Sequence, residues 1–291
     1  MLQKIFKSFY SRAINNVINR VSHQRRMDAI SQKILFKDYQ KDFSLDYCLG
    51  FENSGLRVYS QDDLDGRLLY LFSAIGFTNK IGIDLACGHP EGSNLANLIL
   101  NWDWDGLLLD ANKDAINQTI NFYSEHPSSA TFPPVVSNSW VTKENINNTL
   151  KDNNIPSDID LLSLDVDGID YWLFEALTVT SPRVLVVEYL DFWENESVTI
   201  PYSPQFDRFE LHEDFFGASL PAWVKLCKKK GYRLIGSTNW GFNAIFVKND
   251  IGTNIFPTVT SNSCLSRVRL CAHGQRFERR NQIQKMPWVK V

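Results

Sequence analysis

The sequence lacks a CxxC pair, an apolar run of membrane-spanning length and any low-complexity segment. Its five cysteines, at 48, 87, 227, 264 and 271, form an odd, unpatterned set. They read as reduced thiols of a cytoplasmic protein rather than as a disulfide frame. The longest apolar stretch, near 68–77, reaches about half of what a bilayer requires. No basic stub followed by an apolar core and a small-residue cleavage site opens the chain, so a secretory signal is not expected. Aromatics make up 13% of the 291 residues, which excludes a disordered chain. That length suits one large domain or two small ones.

Net charge is almost absent too, at −3, but only by cancellation. Residues 1–42 carry nine Lys/Arg against three Asp, and residues 265–291 carry seven against one Glu. The middle therefore holds 14 basic and 29 acidic residues. An acidic body with basic ends argues against a nucleic-acid groove, and leaves the ends free to meet something anionic.

Apolar residues at 2, 5, 6, 9, 10, 13, 14, 17, 18 and 21 follow a helical rhythm, with Lys4, Lys7, Arg12 and Arg20 between them. The spacing predicts an amphipathic helix packed on its own domain or on a second subunit. A peripheral membrane contact or an organelle transit segment is the other reading. A linker-like region follows to about residue 55.

From Lys80 the pattern alternates regularly. Strands are predicted over 81–86, 106–110, 135–141, 159–164 and 184–188, with helices over 92–100, to about Tyr123, over 144–150 and over 171–177. The fifth strand is apolar throughout, as suits burial on both faces. A polar, aromatic insertion spans 190–216. A helix over 220–230 and two strands, 232–235 and 243–247, close the pattern. This order implies an α/β fold: a Rossmann-like, mostly parallel sheet with one antiparallel strand and helices on both faces. The expected division is an N-terminal helix and linker (1–55), a catalytic domain (56–250) containing the insertion, and a basic extension (251–291). Ligands in such sheets bind at the carboxyl ends of the strands.

Three acid-bearing segments fall at those ends. Asp84-Leu-Ala-Cys-Gly88-His-Pro-Glu-Gly92 follows the first strand. Its single close glycine departs from the dinucleotide spacing and suits a ligand with an ammonium and a carboxylate but no phosphate. Asp110 ends the second strand, where a carboxylate can accept hydrogen bonds from both hydroxyls of a ribose. Leu161-Leu-Ser-Leu-Asp165-Val-Asp167-Gly-Ile-Asp170 follows the fourth. Asp165 there can orient a hydroxyl or take its proton. Asp165 and Asp167 together suit a hard divalent cation such as Mg2+, and also spell the D-x-D of metal-dependent glycosyltransferases. Asp170 stands where a helix cap belongs. Among the histidines, His89 in the glycine loop and His212 in the insertion are the two placed to act as a base.

With these residues in view, the chain resembles class I S-adenosylmethionine-dependent methyltransferases, and among them the FkbM-type family, over roughly residues 55–250. The resemblance rests on Val58-Tyr-Ser60-Gln61-Asp-Asp63-Leu-Asp65-Gly66, on Asp84–Gly92, Gly106–Asp110 and Ile159–Gly168, and on Phe215-Phe-Gly217-Ala-Ser219-Leu, Lys230-Gly-Tyr-Arg-Leu-Ile-Gly236 and Gly241-Phe-Asn243-Ala. It implies a seven-stranded sheet, S-adenosylmethionine as cofactor and methyl transfer to an oxygen of a sugar, glycan or glycosylated small molecule. By position, Asp84 and Gly88 match the motif against the cofactor's methionine part, and Asp110 matches the ribose-binding acid. Gln61 and Asp65 match the segment that closes over the cofactor, and Asp165 the acid near the transferred methyl. His89-Pro90 departs from the small or acidic residue usual after that glycine. Aromatics of the insertion (Phe192, Trp193, Tyr202, Phe206, Phe215) either stack on a sugar or form the core of a lid. A metal-dependent glycosyltransferase and a non-catalytic scaffold are the competing functions.

Overall fold

The computed structural model describes residues 29–41, 43, 49–266 and 270–291. The helix predicted over 2–21 lies outside them. The chain divides into two compact units, Met1–Cys48 and Leu49–Val291. In the first unit, a helix over 29–41 (α1) stands where the sequence reads as linker. Gln32 and Tyr39, two turns apart on one face, are buried, while Lys33, Lys37 and Lys41 are exposed. Helical periodicity was present there, but diluted by polar residues on the buried face.

The second unit opens with a 3-10 turn (Phe51–Asn53) and α2 (Leu64–Ile75), buried from Leu64 through Ser73. Most of the long apolar run thus belongs to a helix buried on every side, which marks a core element although it carries Asp65 and Arg67. Then follow β1 (Ile81–Leu85), α3 (Ala96–Trp102), β2 (Asp105–Asp110), α4 (Lys113–Glu125), β3 (Val135–Asn138), α5 (Ile146–Asp152), β4 (Asp158–Leu164), α6 (Asp170–Ala176) and β5 (Ser181–Glu188). The insertion contributes β6 (Val198–Thr199) and α7 (Arg208–Leu211). After it come α8 (Leu220–Lys229), β7 (Tyr232–Ser237), β8 (Asn243–Lys248), α9 (Ser261–Leu265), α10 (Leu270–Ile283) and β9 (Val289–Lys290).

Seven strands form one sheet in the order β3-β2-β1-β4-β5-β8-β7. Every pairing from β3 to β5 is parallel, and β8 runs against both its neighbours. The expected sheet with a single antiparallel member is therefore present. On one face, Ile83, Leu85, Leu162, Leu164, Leu185 and Val187 join a core with side chains of α5, α6 and α8. On the other, α3 lies so close that a Cβ on Gly82 would come within 2.4 Å of Leu95 Cδ1, and one on Gly106 within 2.7 Å of Ile99 Cδ1. Helices cover both faces.

Two strand and helix ends differ from expectation for local reasons. α3 begins at Ala96 rather than near Gly92, because Gly92 N–H donates to Tyr59 O (2.7 Å) and Ser93 Oγ to Asp84 Oδ2 (2.7 Å). Residues 86–95 are thereby a loop stitched to the upstream segment. β3 ends at Asn138, whose side-chain amide donates to the carbonyls of Asp110 and Ala111, both at 2.9 Å. That turns Trp140 outward, with its indole N–H on Pro204 O (2.7 Å).

Strand order reverses between β1 and β4, which places the binding crevice at their carboxyl ends. The opposite edge is held by Asp160, fully buried, which accepts from the backbone N–H groups of Thr78, Asn79 and Lys80 and pairs with Arg183 Nη1 at 2.7 Å. The insertion and residues after 265 fold on each other. β6 pairs with β9, and Trp288 meets the rings of Trp193 (5.2 Å) and Phe215 (4.8 Å). Arg276 pairs with Asp191, Arg279 with Asp214 and Arg280 with Glu196. Three arginines of the C-terminal end are thus directed at acids of the insertion.

Candidate active site

Two adjoining cavities open at the carboxyl edge. The larger, of about 580 Å³, is walled by the ends of β1, β2 and β4, by Ser139–Val141, and by Phe206 and Phe209 of the insertion. The smaller, of about 110 Å³, lies over Asp84 and the loop from Ala86 to Asn94. Gln61, Ala86, Gly88 and Asp165 line both. Among the described residues, no lysine or arginine lines either one.

The glycine loop is sewn to β2: Ala86 and Cys87 N–H donate to Leu109 O, and Gly88 N–H donates to Asp110 Oδ2 at 2.9 Å. Gly88 sits at φ +55 with nothing within 4 Å of a built Cβ, so glycine here combines left-handed backbone with an open cavity floor. Asp110 Oδ1 accepts from Asn112 N–H (2.7 Å). Each carboxylate oxygen keeps acceptor capacity beyond these bonds.

Asp84 lies beneath the smaller cavity, 2% exposed, and accepts from Ser93 Oγ. Burial pushes its carboxyl up to about 6, against the opposing effect of the Ser93 bond. Gln61 packs its Cγ toward Gly92 and spans the two cavities. Asp65 lines neither. Its Oδ2 accepts from the N–H groups of Val58, Tyr59 and Ser60 (2.8, 2.7 and 2.9 Å) and from Ser60 Oγ. It shapes the turn that presents Gln61, while its Oδ1 is buried without a partner.

Asp165 stands at the junction of the cavities, one residue beyond β4. Burial, then the charges of Asp170 and Asp167, raise its proton affinity well above that of an ordinary carboxyl. Asp167, at φ +52, pairs with Arg208 of α7. Asp170 is structural: it accepts from Val166 N–H (2.6 Å) and Gly168 N–H (3.0 Å) and so shapes the turn between them.

Glu188, at the end of β5, is absent from the sequence reading. Asp165, Asp167 and Glu188 bring one oxygen each to within 4.8 Å of one another. Burial, then the Asp165 charge, also raises the proton affinity of Glu188. The rule that singled out Asp110, an acid ending a strand at the ligand edge, applies equally to Glu188. Nothing in the sequence signals Arg208, which comes from the insertion.

His212 does not join the site. It lines neither cavity, its Nδ1 accepts from Asp214 N–H (3.1 Å), and its Nε2 lies 3.2 Å from Gln282 Oε1. The fold of α10 onto the insertion claims that ring, so a base at His212 is corrected to a structural contact. His89 lines the smaller cavity, with Nδ1 accepting from Glu91 N–H. Of the insertion's aromatics, Phe206 lines the larger cavity. Phe192, Trp193 and Phe215 are buried in the core, and Tyr202 bonds Glu144. Trp140 and Phe209, not anticipated, form the exposed rim.

Among the described residues no helix is long and apolar enough to cross a membrane. No family model and no curated protein sequence matches the chain. Solved structures resemble it distantly. Magnesium protoporphyrin IX methyltransferase from Synechocystis, solved with bound S-adenosylmethionine, is 12% identical over 75% of this chain and 96% of its own, with a TM-score of 0.41. For mitomycin 7-O-methyltransferase the identity is 14%, over 60% of this chain and 50% of the other, with a TM-score of 0.37. For a glycopeptide N-methyltransferase complexed with S-adenosylmethionine it is 11%, over 59% and 81%, with a TM-score of 0.35. Likeness at this level says nothing about chemistry.

Proposed function

We propose that this chain is an S-adenosylmethionine-dependent O-methyltransferase of the FkbM type, acting on a hydroxyl of a sugar, glycan or glycosylated small molecule. The observation that supports it is the acid-lined double cavity, without lysine or arginine among the described residues that line it, with Asp84 in one lobe, Asp110 in the other and Asp165 between them. A cationic ligand carrying an ammonium and a ribose but no phosphate fits that donor set. S-adenosylmethionine supplies, when bound, a methyl carbon on a cationic sulfur that an oxygen nucleophile displaces in line.

The residues divide the work. Asp84 holds the ammonium, Asp110 takes the ribose hydroxyls, and Gln61 covers the passage between the lobes. Fixing both reactants at near-attack distance carries most of the catalysis. Asp165, with its proton affinity raised by burial, takes the acceptor hydroxyl proton as the new C–O bond forms. Phe206, Phe209 and Trp140 offer apolar ring faces at the mouth, where a sugar enters.

Calorimetric titration with S-adenosylmethionine should show one site, and a labelled-methyl screen against glycans should give a labelled product. No heat at high protein concentration would sink the proposal. Binding without transfer to any acceptor would favour the scaffold reading. The glycosyltransferase reading needs a cationic clamp for a diphosphate, which the described residues lining the two cavities do not supply.

A further inference from the structure

The smaller cavity is walled by acids. Asp84, Glu91 and Asp165 line it, and among the described residues of its wall His89 alone can carry positive charge. The amino-acid end of a ligand brings an ammonium and a carboxylate. Acids answer the first. The second needs donors, and an unanswered anion among carboxylates is costly.

Glycine loops and helix starts ordinarily hold an anion with free backbone N–H groups. This loop has few to give. Ala86 and Cys87 donate to Leu109 O, Gly88 to Asp110 Oδ2, Gly92 to Tyr59 O, Ser93 to Pro90 O and Leu95 to Ser93 Oγ. Asn94 gives its backbone N–H to Asp84 and its side-chain amide to Ser163 Oγ (3.1 Å). Pro90 has no N–H, and Glu91 N–H is taken by His89 Nδ1 at 3.1 Å. From Ala86 to Leu95, only the N–H of His89 itself has no acceptor among the described residues.

The bond from Glu91 also orients the imidazole. It comes from the N–H two residues on, as in an Asx turn. With Nδ1 occupied as acceptor, the neutral ring carries its proton on Nε2. The Phe122 ring stands beside it, 6.3 Å between centroids. Nε2–H is thus left as a donor on an exposed side chain of the cavity wall.

We propose that His89 holds the carboxylate of the cofactor's methionine part, through Nε2–H and its own backbone N–H, while Asp84 holds the ammonium. The contact rests on the methyl-transfer reading and deepens it. It also gives the His89-Pro90 departure a purpose. A small residue there offers only the backbone donor and an acid repels the anion, whereas an imidazole adds a second donor.

The test is calorimetric titration of the full chain with two ligands, S-adenosylmethionine and its decarboxylated form, which lacks only the carboxylate. His89→Asn keeps an acceptor for Glu91 N–H and loses the Nε2 donor. It should weaken S-adenosylmethionine about tenfold, on the scale of one hydrogen bond to a charged group, and leave the decarboxylated ligand within about twofold. His89→Ala should show the same selective loss, and His89→Gln, with a longer amide donor, should restore most of it. Thermal unfolding confirms that each variant is folded. Equal losses for both ligands, or no loss for either, overturn the contact; the second is the result a base at His89 would give. A wild type that binds neither ligand overturns the cofactor reading and the contact with it. A wild type that binds both keeps that reading, whichever way His89 falls.

Discussion

The backbone N–H of Gly88 donates to Asp110 Oδ2 at 2.9 Å, joining the ends of β1 and β2. The two positions assigned from sequence to different parts of one ligand are thus a single hydrogen-bonded unit. The acid assigned to the ribose in the proposed function also holds the glycine turn. Asn112 N–H occupies the other oxygen and starts α4, so three elements meet on one carboxylate.

Asp110→Ala removes both acceptors and should cost about 2 kcal/mol of stability, since bonds to a charged group contribute about 1.5–3 kcal/mol and this one is half-buried. Cofactor affinity should fall more than tenfold. Asp110→Asn keeps an acceptor for one of the two N–H groups and should lose less stability than affinity. Thermal unfolding and calorimetry on the same samples separate the two effects.

Gly88→Ala tests the cavity floor. A side chain at φ +55 costs about 1–2 kcal/mol, and the added methyl has no protein atom within 4 Å to clash with. The methyl therefore projects toward the ligand. Affinity for S-adenosylmethionine should drop further than the fall in unfolding temperature explains.

Asp84 supplies a pH signature. Its folded carboxyl titrates at about 6 against an ordinary 3.8, because burial disfavours the ionised form. The folded state thus holds the proton more tightly than the unfolded chain. Stability falls as pH rises from about 4 to 6 and is level above, by about 3 kcal/mol for a shift of about two units. Asp62, buried and also raised to about 6, adds in the same direction, so the wild type should be compared with Asp84→Asn. A cationic ligand needs Asp84 ionised, so its affinity should climb with pH up to about 6 and then plateau. A flat affinity profile from pH 5 to 8 would remove Asp84 from the ammonium site.

The C-terminal arginines differ in value. Arg276 and Asp191 are 5% and 12% exposed in their side chains and 2.5 Å apart. Arg276→Met should cost about 3–5 kcal/mol by leaving a buried carboxylate unpaired. Arg280 and Glu196 are 32% and 42% exposed, and Arg280→Ala should cost less than about 1 kcal/mol. Urea unfolding of the two variants measures the contrast.

His212→Ala should leave methyl transfer within about threefold of wild type, because the ring lines neither cavity. A hundredfold loss with unchanged cofactor affinity would restore it as the base.

Much of this architecture was legible because it follows from local periodicity. Strands buried on both faces are continuously apolar, and Asp84, Asp110 and Asp165 announce themselves by ending such strands at the ligand edge. Motifs are less legible in what each side chain does. Asp65 matches a cofactor motif, and its Oδ2 accepts from Val58, Tyr59 and Ser60 while Oδ1 has no partner. Not every acid of the middle segment is free to meet a ligand: Asp160 and Asp170 accept from backbone N–H groups of their own loops and neighbours. An acid count does not say which acids are already satisfied.

The sequence by itself determined the β–α order, the single antiparallel strand and the acids at the strand ends, since these depend on residue type and spacing along one segment. Tertiary structure alone decided what crosses the sheet or comes from afar. Register across β4, β5 and β8 places Glu188 and Asn243 beside Asp165, and the insertion delivers Arg208 to Asp167. The partners of those charges are settled in part the same way. At the C-terminal end, three arginines neutralise acids of the insertion, a pairing between segments more than 60 residues apart that no local pattern encodes.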